Sequence, residues 1–298
     1  MRVAAVVVNY RTPDDTCRAV ASLRASRRPV DTVIVVDNGS GDDSLARLRA
    51  LGPDVTLVAS DVNLGFSGGG NLGIRAALAR GTDLVLLVNS DATLAPDCLG
   101  RLETALSVTP AVGIAAPVLV ARDDPGRVLS AGIRFSPATG RLRLLGAGTP
   151  HARRPTTGVD AVSGCVMLIR RAVLERVGGL DEDYFFSFED VDLCLRARRA
   201  GFASVCVGDA VAVHDGSRSI GRRAPARLYF ASRNHLLVAA RAAPAAGRVH
   251  RLARAAAIVA LNLAHAVVRA EAPLAAGVGA VLQGVWHHAR GRYGPRRA

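Results

Sequence analysis

Aromatic and acidic side chains are concentrated in residues 184–192, which read Tyr-Phe-Phe-Ser-Phe-Glu-Asp-Val-Asp. Four of the eleven Phe and Tyr residues of the chain fall in this segment. An aromatic wall with a carboxylate at its edge suits the binding of a sugar ring and the removal of a proton from a hydroxyl group. The alternative is structural, because aromatic residues fill cores and acidic residues stabilise the first turn of a helix. We predict catalytic roles for Glu189 and Asp190.

Polar residues end three strand-like runs, as Asn9-Tyr10, Asp37-Asn38-Gly39-Ser40 and Asn89-Ser90-Asp91. In a parallel sheet these clusters emerge at one edge and can converge on a single ligand. Turn formation explains any one of them, but three on the same edge favour a binding site. A carboxylate at Asp91 is placed to hold a divalent cation against a diphosphate.

Residues 63–71 are rich in glycine and read Asn-Leu-Gly-Phe-Ser-Gly-Gly-Gly-Asn. Such a loop lets backbone N–H groups approach a phosphate closely, although a flexible connector is the alternative. The segment follows the third predicted strand and lacks Gly-Lys-Ser/Thr, so it is neither a dinucleotide fingerprint nor a P-loop. His214 follows another short strand, and its function depends on whether the fold brings it near Asp91.

The first 120 residues alternate between short apolar runs and helical patterns. Continuous apolar strands separated by helices indicate an α/β fold, in which a parallel sheet is covered on both faces. The predicted strands are residues 3–8, 32–36, 55–59, 84–88 and 112–117, and the predicted helices are residues 13–25, 42–51, 70–80 and 96–108.

The later residues have a different composition. Residues 122–160 are rich in Gly, Arg, Pro and Thr, which indicates hairpins and loops. Strands are predicted at 161–169 and in a run that ends at 207, and helices at 171–177 and in a segment that ends at 200. The sequence beyond about residue 224 is helical in pattern and rich in Ala and Arg. We therefore divide the chain into residues 1–120, 121–235 and 236–298.

The net charge of +13 is confined to the C-terminal part of the chain. Residues 1–217 contain 24 Arg and 24 acidic residues, whereas residues 218–298 contain 14 Arg and one acidic residue, Glu271. A basic segment can face nucleic acid, anionic lipid or a phosphorylated substrate. The apolar stretches at 255–268 and 274–286, with Trp286 near an Arg-rich end, suit helices that lie on an anionic membrane. A helical hairpin packed on the main domain is the alternative.

The cysteines and the apolar segments bear on the cellular compartment. Five Cys at positions 17, 98, 165, 194 and 206 lack metal-ligand spacing and indicate buried thiols in a reducing environment. No signal peptide is expected, and no transmembrane helix is predicted because an uncharged, strongly apolar run of 18 residues is absent from the sequence. We predict a cytoplasmic protein that lies peripherally on the inner face of the cell membrane.

These motifs together resemble glycosyltransferase family 2, which has the GT-A fold, and especially its rhamnosyltransferase-like branch. The resemblance covers about residues 2–235 and rests on the order and spacing of its parts. They are VVVNY (6–10), VVDNGS (35–40), NLGFSGGGNLGI (63–74), LLVNSDA (86–92), the long segment 163–202, VHDGSRS (213–219) and RLYFASRN (227–234). It implies a Rossmann-like, mostly parallel sheet flanked by helices, to which this chain adds a C-terminal helical appendage.

The resemblance also implies roles for individual residues. Asp190 would remove the proton from the acceptor hydroxyl, with Glu189 binding the acceptor beside it. Asp91 and His214 would hold Mg²⁺ or Mn²⁺, although Asn89 replaces the first carboxylate of the family's Asp-x-Asp motif. The residues that would contact the nucleotide sugar or the acceptor are Asn9, Tyr10, Asp37, Asn38, Asn63, Gly65, Phe66, Gly70, Asn71, Asn89, Ser90, Arg218, Arg233 and Asn234.

The reaction implied by the resemblance is an inverting single displacement from a dTDP- or UDP-linked sugar. The favoured donor is dTDP-rhamnose, with UDP-galactofuranose as another candidate, and the acceptor is a cell-wall, lipid-linked or surface polysaccharide. Residues 1–120 would then bind the nucleotide sugar, residues 121–235 would bind the acceptor and carry the base, and residues 236–298 would contact the membrane.

Three other functions remain open at this point. A nucleotidyltransferase would also have a nucleotide-binding α/β half, but that class usually has a Gly-rich loop with a basic residue directly after its first strand. A catalytically degenerate scaffold that binds nucleotide or glycan is favoured by Asn89 and opposed by Asp91, Asp190 and His214. A nucleic-acid-binding protein is motivated by the basic C-terminal segment alone, and we expect no nucleic-acid partner.

Overall fold

The computed structural model describes residues 1–215, 224–268 and 273–296. The strands are β1 Val3–Asn9, β2 Thr32–Asn38, β3 Val55–Ser60, β4 Leu84–Asn89, β5 Ala92–Leu94, β6 Val112–Ala121, β7 Val128–Ser130, β8 Ile133–Phe135, β9 Leu142–Leu144, β10 Thr157–Val159, β11 Val166–Arg170 and β12 Ala203–His214. The helices are α1 Pro13–Arg24, α2 Ser44–Arg49, α3 Gly65–Ala79, α4 Cys98–Val108, α5 Arg171–Val177, α6 Glu189–Arg199, α7 Pro225–Ala242, α8 Arg248–Val268 and α9 Leu274–Ala289.

The central strands are apolar along their whole length because both faces of the sheet are covered by helices or loops. Every residue of β1 is buried, and β2 and β4 are buried except at one end. Alternate residues of these strands therefore belong to two different cores. Val6 and Val8 face the core that includes α3 and α6, whereas Val3 and Val7 face the core that includes α1 and α4. This confirms the predicted α/β class with a sheet covered on both faces.

The main sheet has the strand order β10-β12-β6-β11-β4-β1-β2-β3, with β5 attached to β12 and β7 attached to β6. The pairs β1–β2, β1–β4, β2–β3 and β6–β12 are parallel. By contrast, β11 lies between β4 and β6 and is antiparallel to both. The sheet is therefore mostly parallel, and residues 1–121 and 157–214 build one continuous layer.

The carboxyl ends of β1, β2 and β4 lie side by side. Asn9 is in register with Asp37, and Val8 is in register with Asn89. The short strand β5, which the sequence pattern did not reveal, pairs antiparallel with the end of β12 and sets His214 opposite Ala92. This pairing brings the residue after Asp91 and the last residue of β12 to the same edge of the sheet.

The helices α7, α8 and α9 pack on one another beside this sheet. The helix α7 spans Pro225–Ala242, so the predicted boundary between residues 235 and 236 lies inside a helix. By length and composition α8 is sufficient to cross a membrane, although no transmembrane helix was predicted from the sequence, and most of its surface is exposed.

Candidate active site at the sheet edge

A cavity of about 310 Å³ opens at the carboxyl ends of β1, β2 and β4. It has a polar floor and an aromatic wall, and the wall is contributed by three separate parts of the chain. The lining residues are Val8, Tyr10, Asn38, Asn63, Gly65, Phe66, Asn89, Ser90, Asp91, Phe185, Phe186, Ala226 and Phe230. Phe185 and Phe186 both pack on Phe230, with ring centroids 5.3 and 6.3 Å apart. The predicted clusters therefore do converge, and we call this cavity the donor pocket, after the nucleotide sugar that the family resemblance implies would bind here.

Asn9 and Asp37 lie beneath the donor pocket and do not line it. The Asn9 side chain is fully buried, where its amide donates to Asp37 Oδ1 (2.8 Å) and Ser40 Oγ (3.0 Å) and its Oδ1 accepts from Thr16 Oγ1 (2.9 Å). The expected contact between Asn9 and the nucleotide is therefore not seen. Asn9 orients Asp37, and a contact between Asp37 and the base or ribose stays a prediction.

Asn38 and Asn63 organise the backbone at the rim of the donor pocket. Asn38 donates to the carbonyl of Gly65 (2.9 Å) and accepts from the N–H of Leu64 (3.1 Å), while Asn63 Oδ1 accepts from the N–H of Gly65 (2.8 Å). Gly65 has a φ of +71°, and a Cβ there would overlap the carbonyl of Phe185. Glycine is therefore required where the 63–65 segment passes under the aromatic wall.

The glycine-rich segment is helical from Gly65 onward, so the prediction of a loop over residues 63–71 is wrong, whereas its approach to a phosphate stays a prediction. The helix α3 begins at Gly65, five residues before the predicted start, and its glycines permit close packing. A Cβ at Gly70 would lie 2.9 Å from Leu180 Cδ1. Asn71 is also buried, and it donates to Leu180 O (2.8 Å) and Glu182 Oε1 (2.9 Å). Gly70 and Asn71 thus join α3 to residues 180–182 and contact neither pocket.

Asp91 and His214 face each other at the edge of the donor pocket. His214 Nε2 lies 3.2 Å from Asp91 Oδ1, an ion-pair distance without the geometry of a hydrogen bond. Asn89 Oδ1 is also buried, and it makes no hydrogen bond within the part of the chain that the structure describes. No group of three or more His, Cys, Asp or Glu side chains in the described residues is arranged to hold a metal ion. Two protein ligands, one carboxylate and one imidazole, fit a divalent cation that takes its other ligands from substrate and water.

A second cavity of about 250 Å³ adjoins the donor pocket and shares Phe66, Asn89 and Phe186 with it. Its further lining residues are Ile133, Leu142, Ser163, Gly164, Cys165, Ser187, Phe188, Glu189, Asp190, Val191 and His214. Both predicted catalytic carboxylates thus lie in a cavity that adjoins the donor pocket. We call this second cavity the acceptor pocket, after the acceptor that the family resemblance implies would bind here.

The chain is similar to known glycosyltransferases. The family described as "Glycosyltransferase like family 2" matches residues 1–238. The chain belongs to this family. The N-acetylglucosaminyl-diphospho-decaprenol L-rhamnosyltransferase of Mycobacterium tuberculosis is 33% identical over 246 residues, which cover 73% of this chain and 77% of that protein. The galactofuranosyltransferase GlfT1 of the same organism is 32% identical over 219 residues, which cover 71% and 69%.

The fold of this family 2 glycosyltransferase is the GT-A fold. The mannosyltransferase PcManGT from Pyrobaculum calidifontis, solved in complex with GDP-Man and Mn²⁺, superposes with a TM-score of 0.61 and 19% identity. The match covers 97% of this chain and 87% of that chain. It therefore extends over the C-terminal helices as well as the α/β domain.

The acceptor pocket of the glycosyltransferase raises the pKa values of its two carboxyl groups. Asp190 Oδ2 accepts from the N–H of Gly164 (2.8 Å) and Oδ1 from the N–H of Val191 (2.7 Å). Burial raises the pKa of Asp190 and outweighs these two bonds, which lower it. Burial, and next the charge of Asp190, raise the pKa of Glu189, whose Oε2 is buried with no hydrogen-bond partner among the described residues. A base with a raised pKa accepts a proton more readily near neutral pH.

The pKa of His214 in the glycosyltransferase is raised, although burial alone would lower it. Burial lowers the pKa of His214, but the adjacent Cys165 and Asp91 side chains raise it, and the net effect is a higher pKa. Cys165 is buried, and desolvation raises the pKa of its thiol. Because a metal ion binds the neutral imidazole, binding at His214 must displace a proton.

Arg233 and Asn234 of the glycosyltransferase lie outside both pockets, which overturns the prediction that they contact diphosphate or acceptor. Both side chains are fully buried under the segment 183–187. The third candidate, Arg218, falls outside the described residues. The predictions for Tyr10, Asn38, Asn63, Gly65, Phe66, Asn89 and Ser90 are consistent with their positions on the donor pocket, and their contacts with substrate stay predictions.

Several lining residues were not predicted from the sequence of the glycosyltransferase. Phe185 and Phe186 belong to the aromatic segment from which Glu189 and Asp190 were predicted, and Phe230 belongs to the motif RLYFASRN. The sequence therefore contained a signal for all three residues. Ile133 and Leu142, in contrast, reach the acceptor pocket from the hairpin β8–β9. That part of the sequence had been interpreted only as hairpins and loops.

Proposed function

We propose that this family 2 glycosyltransferase catalyses an inverting, metal-assisted transfer of a sugar from a nucleotide sugar to a hydroxyl group. The observation that carries the proposal is the adjacency of the two pockets. Asp91 lines the donor pocket, whereas His214 and Asp190 line the acceptor pocket. Phe66, Asn89 and Phe186 line both pockets. An acceptor hydroxyl can thus attack the anomeric carbon from one side while the nucleotide diphosphate leaves on the other.

Asp91 and His214 are the residues that would hold Mg²⁺ or Mn²⁺. The ion would supply positive charge that stabilises the departing nucleotide diphosphate. The fit rests on His214 Nε2, a buried nitrogen without a hydrogen-bond partner in the described residues, and on its 3.2 Å approach to Asp91. Asn89 lines both pockets, and its buried Oδ1 has no hydrogen-bond partner among the described residues. The Mn²⁺ bound to the mannosyltransferase PcManGT supports a divalent cation here.

Asp190 acts as the general base in the proposed reaction. Two backbone N–H groups fix its carboxylate in the acceptor pocket, and its raised pKa favours acceptance of the hydroxyl proton. Glu189 is buried beside it and retains a proton at higher pH than an exposed glutamate, so it can donate a hydrogen bond to the acceptor. The aromatic side chains of Phe186 and Phe188 cover the apolar face of a bound sugar ring.

The donor that we propose is dTDP-rhamnose. The support is the 33% identity with the N-acetylglucosaminyl-diphospho-decaprenol L-rhamnosyltransferase, which covers 73% of this chain. The galactofuranosyltransferase GlfT1 is almost as similar, and it keeps UDP-galactofuranose as the second candidate.

The acceptor that we propose is a lipid-linked glycan of the cell-wall or surface-polysaccharide type. The hairpin β8–β9 lines the acceptor pocket through Ile133 and Leu142, and its turn rests on the C-terminal helices. Arg254 Nη1 of α8 donates to Pro137 O (2.7 Å), and His235 Nε2 of α7 lies 2.7 Å from Gly140 O. The acceptor pocket is therefore connected to α8 by a single hairpin, so a lipid carrier held near α8 would lie close to it.

We also propose that α8 and α9 rest on the inner, anionic face of the cell membrane, in a cytoplasmic enzyme. The exposed side chains of these helices are mainly apolar. They include Val249, Leu252, Leu261, Val267 and Val268 on α8 and Leu274, Leu282 and Trp286 on α9. Arg248 and Arg251 in the first turn of α8 are exposed, and Arg290 and Arg292 pack over the Trp286 ring. Apolar helix faces flanked by arginine suit the boundary between headgroups and acyl chains.

A donor panel tests the proposed reaction. Transfer and donor hydrolysis are measured for dTDP-rhamnose, UDP-galactofuranose and other nucleotide sugars with Mg²⁺, Mn²⁺ or EDTA, using a membrane lipid extract as acceptor. The wild type is compared with Asp190→Asn, which removes the base and preserves the shape of the side chain. We expect metal-dependent turnover of one donor and a loss of at least roughly a hundredfold in kcat for the variant, with nucleotide binding retained.

Binding of a nucleotide without turnover of any donor would instead favour a catalytically degenerate scaffold. Turnover that persists in EDTA would contradict the metal-assisted mechanism. Full activity of Asp190→Asn would remove this residue as the base.

A further inference from the structure

The segment 183–188 joins the aromatic wall of the donor pocket to the carboxylates of the acceptor pocket. Phe185 and Phe186 line the former, and the segment ends at Glu189, the first residue of α6. Its backbone is unusual, because Phe185, Ser187 and Phe188 have φ values of +61°, +71° and +73°. Non-glycine residues adopt this left-handed conformation at an energetic cost and keep it only where their surroundings impose it.

Arg233 of α7 holds the first part of this segment. Its Nη2 donates to the carbonyls of Asp183 (2.9 Å) and Tyr184 (2.9 Å). The guanidinium is fully buried and pairs with no carboxylate in the described part of the chain. The rings of Tyr229, Phe230 and Tyr293 surround it at 5.1–5.8 Å. A buried cation whose N–H groups donate to main-chain carbonyls is positioned to fix a backbone conformation.

Asn234 holds the second part of the segment. Its Nδ2 is within hydrogen-bond distance of three carbonyl oxygens, of Tyr184 (2.9 Å), Phe186 (2.7 Å) and Ser187 (2.9 Å). Its Oδ1 accepts from Arg233 Nε (2.9 Å), so the two side chains orient each other. Together they contact four of the five carbonyls from residue 183 to residue 187.

The residues that follow α9 complete this arrangement. Arg233 Nη1 donates to the carbonyl of Gly294 (2.7 Å), and the N–H of Gly294 donates to the carbonyl of Asp183 (2.9 Å). Arg233 therefore connects the segment before Glu189 to the residues that follow α9. The helices proposed to rest on the membrane and the catalytic segment thus share one buried side chain.

We propose that Arg233 and Asn234 are positioning residues, which hold the backbone of residues 183–188 in the conformation that presents Asp190 to the acceptor. Neither side chain touches a pocket, so they act through the carbonyls that they bind. The assignment of Asp190 as the base rests on the proposed function, whereas the constraint on the backbone does not.

Three variants test this proposal in the full-length chain. Asn234→Asp preserves size but removes the amide donors, Arg233→Lys preserves the charge but loses the planar fork, and Arg233→Ala creates a space for free guanidinium. Leu102→Ala is the matched control, because Leu102 is fully buried in the core on the other face of the sheet. This substitution should lower Tm without changing the contacts of residues 183–188. We measure Tm, kcat, donor KM, nucleotide affinity and amide hydrogen exchange of peptides that cover residues 183–190.

We expect Asn234→Asp and Arg233→Lys to lower kcat by roughly tenfold or more, with a donor KM within about threefold of wild type. Exchange should accelerate in residues 183–190 and not elsewhere, and guanidinium should restore part of the kcat of Arg233→Ala. Leu102→Ala, at a similar loss of Tm, should retain most of its kcat.

Unchanged exchange in residues 183–190 of a folded variant would overturn the proposal. The proposal would also be overturned if Leu102→Ala lost as much kcat as the Arg233 and Asn234 variants at an equal loss of Tm. Should the wild type transfer no sugar from any donor, the proposed function fails. The exchange and nucleotide-affinity measurements would then still test the positioning role.

Discussion

Asp190 Oδ2 lies 2.8 Å from the backbone nitrogen of Gly164, and the carbonyl of the next residue, Cys165, accepts from the N–H of Asn89 (2.8 Å). The proposed base is thus tied through one short turn to the end of β4, where the donor pocket begins. The two halves of the site keep their spacing because they share this backbone. Neither segment could be moved without altering the other.

Gly164→Ala is expected to lower kcat. A Cβ at this position would lie 3.1 Å from Asp190 Cβ, so the carboxylate must move by a few tenths of an ångström. We expect a loss of roughly fivefold to tenfold in kcat with a small change in Tm, because misplacement of a catalytic group is costly. Gly158→Ala is the control, since a Cβ there would have no neighbour within 4 Å. Equal kcat values for the two variants would show that Asp190 tolerates displacement.

His214→Gln and Asp91→Asn are expected to raise the metal concentration that gives half-maximal activity. Each variant removes one of the two protein ligands that we assign, and a weaker site needs more Mn²⁺. We expect a shift of at least roughly tenfold, with partial recovery of turnover at high Mn²⁺. Asp97→Asn serves as the control, since Asp97 pairs with Arg27 and Arg101 on the surface. A metal optimum that does not move in either ligand variant would exclude this pair as the metal site.

Glu189→Gln should stabilise the protein, and more so at high pH than at low pH. Burial raises the pKa of Glu189 in the folded state, so the folded protein binds a proton that the unfolded chain has already released. Stability contributed by the neutral form is therefore lost as pH rises from the ordinary glutamate pKa to the raised one. The amide does not ionise, so the variant avoids this loss.

Thermal unfolding from about pH 5 to about pH 8.5 measures this difference. The gap in Tm between Glu189→Gln and the wild type should widen with increasing pH. Glu175→Gln on the exposed side of α5 is the matched control and should change Tm little, as most surface substitutions do. A constant gap across the pH range would mean that Glu189 is ionised in the folded protein.

Leu252→Asp, Leu261→Asp and Leu282→Asp should each weaken binding to anionic vesicles. These side chains are exposed on α8 and α9, and the loss of one apolar contact is worth about 1–2 kcal/mol, or roughly tenfold in affinity. Trp286 is the chain's single tryptophan and lies on α9, so its fluorescence reports insertion directly. Vesicles of phosphatidylglycerol are compared with vesicles of phosphatidylcholine.

Val108→Asp is the control for vesicle binding, because Val108 is 76% exposed at the end of α4, on the other face of the sheet. It should bind vesicles like the wild type. Equal weakening by Val108→Asp would indicate a non-specific effect of charge. A wild-type protein that ignores both kinds of vesicle would contradict the proposed membrane contact.

Gly73→Ala and Gly279→Ala should change stability in opposite directions. A Cβ at Gly73 would overlap Val6 Cγ1 where α3 packs on β1, whereas a Cβ at Gly279 would have no neighbour within 4 Å. We expect the first variant to lose on the order of 2 kcal/mol and the second to gain up to about 1 kcal/mol from helix propensity. Chemical denaturation measures both. A neutral Gly73→Ala would argue against close packing as the reason for the glycine-rich sequence.

The sequence predicted most of the elements because the strands are buried on both faces and the helices are amphipathic. The predicted start of α5 at residue 171 matches the structure, and β1 and α1 differ from their predictions by one residue at one end. In contrast, the sequence did not predict that β11 is antiparallel to its neighbours, since the hydrophobic pattern of a buried strand does not depend on the direction of the strand. The strand β5 has three residues, which is too short to produce a pattern.

The candidate site was predicted less completely than the fold. The polar ends of β1, β2 and β4 indicated the donor pocket, and the aromatic and acidic segment indicated the acceptor pocket. The glycine-rich segment was predicted to be a loop because glycine disfavours helices in isolation. In the structure, close packing of α3 on the sheet outweighs that preference. Arg233 and Asn234 were predicted to contact substrate, and their burial was not foreseen. It depends on α9 and on residues 293–294, which lie far along the sequence.

The wall shared by the two pockets has a kinetic consequence. Phe66, Asn89 and Phe186 each border both cavities, so donor and acceptor can be bound side by side. None of these three shared side chains is a nucleophile on which a glycosyl group could be held between half-reactions. The glycosyltransferase should therefore follow sequential kinetics, and double-reciprocal plots at several acceptor concentrations should intersect and not run parallel.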